Sequence, residues 1–348
     1  MILEAVRVVV IAILAFVMAL MITPLILNLL KRHQISKQIR TSESAPIFSR
    51  IHKAKENTPT MGGIIIWGTV LVLALVFLAL DVFFDGFFSF LNFVDRGETY
   101  LPLAALAIAA FFGLIDDVLG ALRIGSKGGG VRVSQKLIIY TALSAIGAWW
   151  FYSPHILDWH VPNIPFFGSF DIGAWYIPIF MVVIIASAFS ANETDGLDGL
   201  LGGVSLFAFG ALAVVAFALG RFDLAAMLGG IIGALLAFLW FNIYPAKFFM
   251  GDTGSMALGI TLGVTTMLTN TVFLLPFFAV ILVAESISVM LQLPSKKLFR
   301  RKIFQSTPLH HHFEAKGWPE SQVTMRFWIV SVVFAAFGLM LFFIDRFL

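Results

Sequence analysis

Long apolar runs separated by short polar stretches dominate this chain. Ten of them approach or exceed the ~20 residues a helix needs to cross a ~30 Å hydrocarbon core. They fall at about 5–30, 62–80, 100–119, 137–152, 174–190, 200–219, 224–242, 256–275, 276–293 and 326–346. The run 137–152 is short, and the pair meeting at Leu275-Pro276 reads as one broken helix or as two helices joined by a tight turn. The expected fold is an all-α polytopic membrane protein of about ten transmembrane helices, a single domain over 1–348. The first run is too long for a signal-peptide core, lacks a small-residue cleavage site and precedes Lys31-Arg32, so it reads as a retained helix. In 153–173, Pro154, Pro162, Pro165 and Gly168 separate short apolar pieces and predict a hairpin.

Composition sharpens this picture. With 59% hydrophobic and only 12% charged residues the chain cannot be a water-soluble globule, where roughly a quarter of residues are charged. The expected surroundings are a lipid bilayer, and no nucleic acid is expected as a partner. The absence of cysteine excludes disulfide and thiolate chemistry, so any metal must be held by oxygen or imidazole.

The net charge is only +3, but its distribution is informative. Alternating the ten spans puts the loops 31–58, 120–136, 190–199, 243–255 and 295–326 on one side, with 7, 4, 0, 1 and 7 Lys plus Arg. Arg7, Arg96, Arg221 and Arg346 fall on the other. The positive-inside rule makes the crowded face cytoplasmic and puts both termini outside.

Four polar clusters share that face, and ionisable residues at membrane boundaries mark functional sites by default. Asp116-Asp117 closes the third apolar run. Adjacent helical carboxylates point about 100° apart, so one can hold a metal while the other meets a different ligand or a proton. A solvated helix end is the alternative, although acids are disfavoured at a helix C-terminus. In Asp195-Gly196-Leu197-Asp198-Gly199 the glycines permit a tight turn and close backbone approach, while the acids suit Mg²⁺ or a ribose or base; a plain Asp-Gly turn would look similar. Met250-Gly251-Asp252-Thr253-Gly254-Ser255 opens the eighth span, where freed amides suit a phosphate and Asp252 a hard cation, against helix capping by Asp252 or Ser255.

Three consecutive histidines, His310, His311 and His312, cannot all turn toward one ion. Beside Lys296, Lys297, Arg300, Arg301 and Lys302 they read as imidazole donors of a phosphate or carboxylate pocket, or as part of a headgroup-binding basic loop. Glu285, inside the ninth run, is expected to orient a neighbouring polar group. Together these clusters describe a metal- and phosphate-handling cleft with one membrane-embedded substrate and one from the cytosol.

Six segments carry a resemblance over nearly the whole chain: Thr58-Pro59-Thr60-Met61-Gly62-Gly63, Asp116-Asp117, Asn192 to Leu200, Asn242 with Pro245, Phe248 to Asp252, and Thr307 to Glu314 with Gly317-Trp318. On these the chain resembles the phospho-N-acetylmuramoyl-pentapeptide transferase branch of the polyprenyl-phosphate N-acetylhexosamine-1-phosphate transferase superfamily. Leu309-His310-His311-His312-Phe313-Glu314 is the most discriminating, since the superfamily shares the Asp motifs. The chain departs from the family's Asp-Asp-x-x-Lys pattern at Gly120, and at Phe189 and Glu193 beside Asn192.

The resemblance implies Mg²⁺-dependent transfer of phospho-MurNAc-pentapeptide from UDP-MurNAc-pentapeptide to undecaprenyl phosphate, at the cytoplasmic face of a bacterial inner membrane, giving lipid I and UMP. It implies Asp116, Asp117, Asp252 and His311 as catalytic, Asp252 and Asp117 as metal ligands, and Gly196, Leu197, Asp198 and Phe249 around the uridine. Asn192, Asp195, Asn242, Lys53, Lys127, Lys136, His310 and His312 complete the cleft, and a homodimer is left open. A sister enzyme transferring GlcNAc-1-phosphate shares the Asp motifs, and a secondary transporter also places acids in broken helices.

Overall fold

The computed structural model describes residues 1–33, 58–95, 97–125 and 129–347. Among them the chain forms α1 (Ile2–Arg32), α2 (Ile64–Phe83), short α3 (Phe87–Leu91), α4 (Tyr100–Ala121), α5 (Val133–Tyr152), α6 (Tyr176–Thr194), α7 (Leu200–Ala218), α8 (Phe222–Asn242), α9 (Asp252–Leu268), α10 (Leu275–Phe278), α11 (Val280–Leu298), α12 (Leu309–Ala315) and α13 (Glu320–Phe347). The chain is therefore an all-α polytopic membrane protein, and each apolar run expected from the sequence coincides with one of its long helices.

Seven of the helices are long and apolar enough to cross a membrane, and the bent pair Val272–Phe278 with Val280–Leu298 adds an eighth. The two long helices outside that set have local reasons. Polar Ser134, Gln135 and Lys136 open α5, and α9 has 17 residues that include Thr253, Thr261, Thr265 and Thr266.

Burial explains why α9 tolerates threonine. It is buried on nearly every side, packed between α4 and α6, so its hydroxyls find carbonyls rather than lipid: Thr266 donates to Leu262 at 2.7 Å and Thr253 to Ala110 at 3.0 Å. Around this core α1 runs along α8, α7 lies against α8, and α13 covers α7. Between α2, α4 and α5 an apolar crevice of about 560 Å³, lined by Leu75, Ile108, Ile146 and Trp150, suits hydrocarbon and offers nothing to a phosphate.

The break near Leu275-Pro276 falls elsewhere than the apolar pattern suggested. A turn at 269–271 ends α9, Pro276 lies in the first turn of α10, where its missing N–H costs nothing, and α10 meets α11 at 92° around Ala279. The predicted hairpin is present: Asn163–Ile164 (β1) pairs antiparallel with Gly168–Ser169 (β2). Asp345 of α13 anchors it by accepting from Phe166 N–H at 2.5 Å and from Asn163 Nδ2 at 3.1 Å.

The opposite ends of α4 and α8 carry different polar groups. Where α8 begins, Arg7 reaches Asp223 and the Asn92 carbonyl, each at 2.5 Å, and Glu4 at 3.2 Å, tying α1 to α8 and to the α3–α4 link. Where α4 ends and α9 begins lies the cluster of acids.

Candidate active site

The two adjacent acids at the end of α4 face different partners, as their angular offset requires. Asp117 turns to α9: its Oδ1 accepts from Asp252 N–H at 3.1 Å and its Oδ2 from Thr253 N–H at 3.0 Å. These donors are among the amides a helix N-terminus leaves without intrahelical partners, and a carboxylate also complements the helix dipole there. Gly251 makes the approach feasible. Its φ is 75°, in the left-handed region, and a Cβ would lie 2.5 Å from Asp117 Oδ2.

Asp116 turns to α5. Its Oδ1 accepts the Val131 N–H, and its Oδ2 lies 2.6 Å from Lys136 Nζ. The same ammonium donates to Asp252 Oδ2 at 2.6 Å, so Lys136 bridges the two carboxylates. The other oxygen of Asp252 accepts from Asn192 Nδ2, which also reaches Ser255 Oγ at 3.3 Å. Four segments far apart in sequence therefore meet at one point: the ends of α4 and α6 and the starts of α5 and α9.

A hard cation such as Mg²⁺ is held by one or two carboxylates, retained waters and substrate phosphates rather than by an all-protein cage. Asp116 and Asp252 fit that description, because the Lys136 ammonium already occupies a cation position between their oxygens. Among the described residues no group of three or more His, Cys, Asp or Glu side chains converges as a metal site.

The turn at 195–199 lies beside this cluster and is clamped through its backbone. Asp198 N–H donates to Glu320 at 2.7 Å, its carbonyl accepts from Thr324 Oγ1 at 3.1 Å, and the Gly199 carbonyl accepts from Trp328 Nε1 at 3.1 Å. Glu320, Thr324 and Trp328 recur every four residues along one face of α13. The buried Asp198 carboxylate accepts from Ala246 N–H at 2.9 Å. Asn242, also buried, accepts from Gly199 N–H at 3.0 Å and donates to the Phe248 carbonyl at 2.8 Å. Segment 59–63 docks on the 248–250 loop, with Phe249 N–H donating to Pro59 and Gly62 N–H to Phe249, both at 2.8 Å. Phe249 and Asp195 are half-buried, and Leu197 is buried.

The three histidines of α12 diverge, as consecutive residues must. His310 is fully buried and lies against the turn. His311 Nδ1 is 2.7 Å from Glu314 Oε2, and His312 Nδ1 accepts from Gln305 N–H at 3.2 Å. Burial alone would push the His310 imidazole down, but the neighbouring Glu285 carboxylate, with Glu314 and Glu193, more than offsets it and holds the group above its ordinary range. His312 goes the other way, lowered by burial and by Lys316.

The structure thus brings together Asp116, Asp117, Lys136, Asn192 and Asp252 in one cluster, and Gly196, Asp198, Asn242 and His310 around the adjoining turn. Lys53 and Lys127 lie outside the described residues. Glu320, Thr324 and Trp328 were not among the sequence-derived site residues; their fourfold spacing after Trp318-Pro319 was the available signal. Tyr140, one turn beyond Lys136 and fully buried, was missed as well, hidden inside an apolar run.

Comparison with known proteins extends this geometry. Residues 99–270 match the profile of Glycosyl transferase family 4, and residues 55–66 match phospho-N-acetylmuramoyl-pentapeptide-transferase signature 1. A phospho-N-acetylmuramoyl-pentapeptide-transferase of Chloroflexus aurantiacus is 38% identical over 338 residues, covering 94% of this chain and 87% of the relative. A transferase of the same name from Shouchella clausii is 36% identical over 334 residues, 94% of both chains. One from Borrelia garinii is 36% identical over 343 residues, 93% of this chain and 92% of the relative.

Proposed function

Because the chain belongs to the phospho-N-acetylmuramoyl-pentapeptide-transferase family, we propose that it transfers phospho-MurNAc-pentapeptide from UDP-MurNAc-pentapeptide to undecaprenyl phosphate, giving lipid I and UMP in peptidoglycan synthesis. The observation that carries this reading to particular atoms is the convergence of Asp116, Lys136, Asn192 and Asp252 beside the 195–199 turn.

In the reaction an oxygen of the lipid phosphate forms a bond to the sugar-linked phosphorus of the donor, the bond from that phosphorus to the bridging oxygen breaks, and UMP leaves with the electron pair. Such a transition state is stabilised mainly by position and charge. Bound Mg²⁺ held by Asp252, with Asp117 or Asp116, would supply positive charge to the diphosphate oxygens. Lys136 supplies a further positive charge beside these carboxylates. Asn192 holds Asp252 in orientation, and Asp117 fixes the start of α9, so the carboxylates keep their spacing. In this reading the 195–199 turn and the half-buried Phe249 ring receive the uridine, and His311, held by Glu314, serves the donor phosphates. Asp195 and His312 complete the polar lining in this reading.

The distribution of Lys and Arg supports a cleft on the cytoplasmic face of a bacterial inner membrane with both termini outside. A homodimer is compatible with this arrangement. The deciding experiment is UMP release by the purified chain given UDP-MurNAc-pentapeptide and undecaprenyl phosphate, with UDP-GlcNAc as competitor. Turnover of the GlcNAc donor in preference to the muramoyl donor overturns the substrate assignment.

A further inference from the structure

Glu285, in the second turn of α11, is the one acid of a helix whose other polar side chains before its basic last turn are neutral, and its side chain is 0% exposed. A carboxylate in that position is costly unless hydrogen-bonded and paired. Its partner is a single residue contacted three times. The His310 backbone N–H donates to Oε1 at 3.1 Å and to Oε2 at 3.3 Å, and the His310 ring Nδ1 lies 3.1 Å from Oε1. Backbone and imidazole therefore both lie against one carboxylate, which sets the edge of the ring that is turned toward α11. His310 is likewise 0% exposed.

With Nδ1 toward Glu285, the opposite nitrogen must point away from α11. It lies against the 195–199 turn: a Cβ at Gly196 would be 2.3 Å from His310 Nε2 and 2.8 Å from Cε1. The missing side chain of Gly196 is the space the ring occupies. One residue on, α11 is also tied directly to α6, where Ser286 and Ser190 share a hydrogen bond at 2.7 Å. A continuous path thus runs from Glu285 through the His310 ring to Gly196, and Asn192 on the same segment holds Asp252.

We propose that Glu285 is a positioning residue of the transferase, which through His310 sets the 195–199 turn where the nucleotide end of the donor is received. The inference rests on the functional reading above. Glu285 touches neither substrate, and its effect is expressed in recognition of the soluble donor rather than of the lipid acceptor. The raised pKa of His310 agrees with this placement, since a protonated ring presents Nε2–H toward the turn while Nδ1–H stays with Glu285.

The test is a double-mutant cycle on the full-length protein in detergent, with UMP release measured against each substrate separately. Glu285→Gln keeps the shape and removes the charge; it is expected to lower kcat/KM for UDP-MurNAc-pentapeptide about tenfold or more, with KM for undecaprenyl phosphate unchanged. Glu285→Asp should recover part of that loss. Combined with His310→Gln the loss should not grow further, because both changes cut one path, whereas combined with Phe249→Ala the losses should multiply. Ser286→Ala, which removes the neighbouring tie, is the structural control and should lower the thermal midpoint without selective change in donor KM. Multiplying losses for Glu285→Gln with His310→Gln overturn the proposal, as does wild-type donor kinetics in Glu285→Gln. Absence of UMP release from the unmutated chain would overturn the functional reading instead.

Discussion

The two ends of the helix bundle both carry ion pairs, and they are built for different ends. Around Arg7 the guanidinium is 7% exposed and paired with Glu4, Asp223 and the Asn92 carbonyl, so that charge fastens α1, α8 and the α3–α4 link together. Around Lys136 an ammonium lies between Asp116 and Asp252, with Asp117 alongside on the α9 amides and the Asp252 side chain 25% exposed. Three carboxylates, Asp116, Asp117 and Asp252, crowd around this one ammonium, an excess of negative charge that suits a site for a cation and that a structural clamp does not need. Charge balance, more than the presence of an ion pair, separates the scaffold end from the chemical end.

Four sets of substitutions would break or sharpen that contrast. The largest effect is expected for Asp252→Asn, which keeps size and hydrogen-bonding shape but removes the charge a hard cation needs; turnover should fall about a hundredfold or more, poorly restored by added Mg²⁺, with the folded fraction preserved. Near-normal UMP release by that variant would remove Asp252 from the metal site. Next, among His310→Gln, His311→Gln and His312→Gln at least one should cost about tenfold in kcat/KM, or ~1.4 kcal/mol of transition-state stabilisation. Neutralising Lys296 and Lys297 together should cost less and only in a salt-dependent way. The reverse ranking would make that loop a membrane anchor.

Phe249→Ala comes third: loss of a stacking face worth ~1–3 kcal/mol should raise KM for the UDP donor while leaving that for the lipid unchanged. An effect confined to the lipid would show that the ring faces elsewhere. The smallest effect on turnover belongs to the opposite end. Arg7→Met should lower the stability of the detergent-solubilised protein by ~1–3 kcal/mol, leaving Asp223 without its partner, yet kcat per folded molecule should be nearly unchanged. A selective loss of kcat there would mean that the two ends are coupled.

What could be read in advance follows from which interactions are local. The ten apolar runs located ten long helices because membrane spanning demands a local property, some 20 apolar residues in a row. The prolines and glycine of 153–173 located the hairpin for a similar reason: turn chemistry resides in the turn residues themselves. The break expected where the eighth and ninth runs meet, at Leu275-Pro276, lies a few residues later, at Ala279. Pro276 is accommodated in the first turn of α10, and the bend at Ala279 bears no signature of its own. The polar residues of the cleft were also legible one by one, since an acid or histidine flanked by apolar spans is costly wherever it lies.

Their partners were not legible. Lys136 with Asp116 and Asp252, Asp117 with the start of α9, Asn242 between Gly199 and Phe248, and Glu285 with His310 are contacts between segments from about 6 to 136 residues apart. The sequence by itself determined the membrane fold class, the position of the helices and the membership of the polar set. The tertiary structure alone decided which acid meets the ammonium and which caps a helix, that Asp198 and Asn242 tie loops together, and which of the three histidines, His310, is enclosed. The physical reason is that hydropathy and helix formation are summed along the chain, whereas a carboxylate's partner depends on distances across helices that exist only once the bundle has packed.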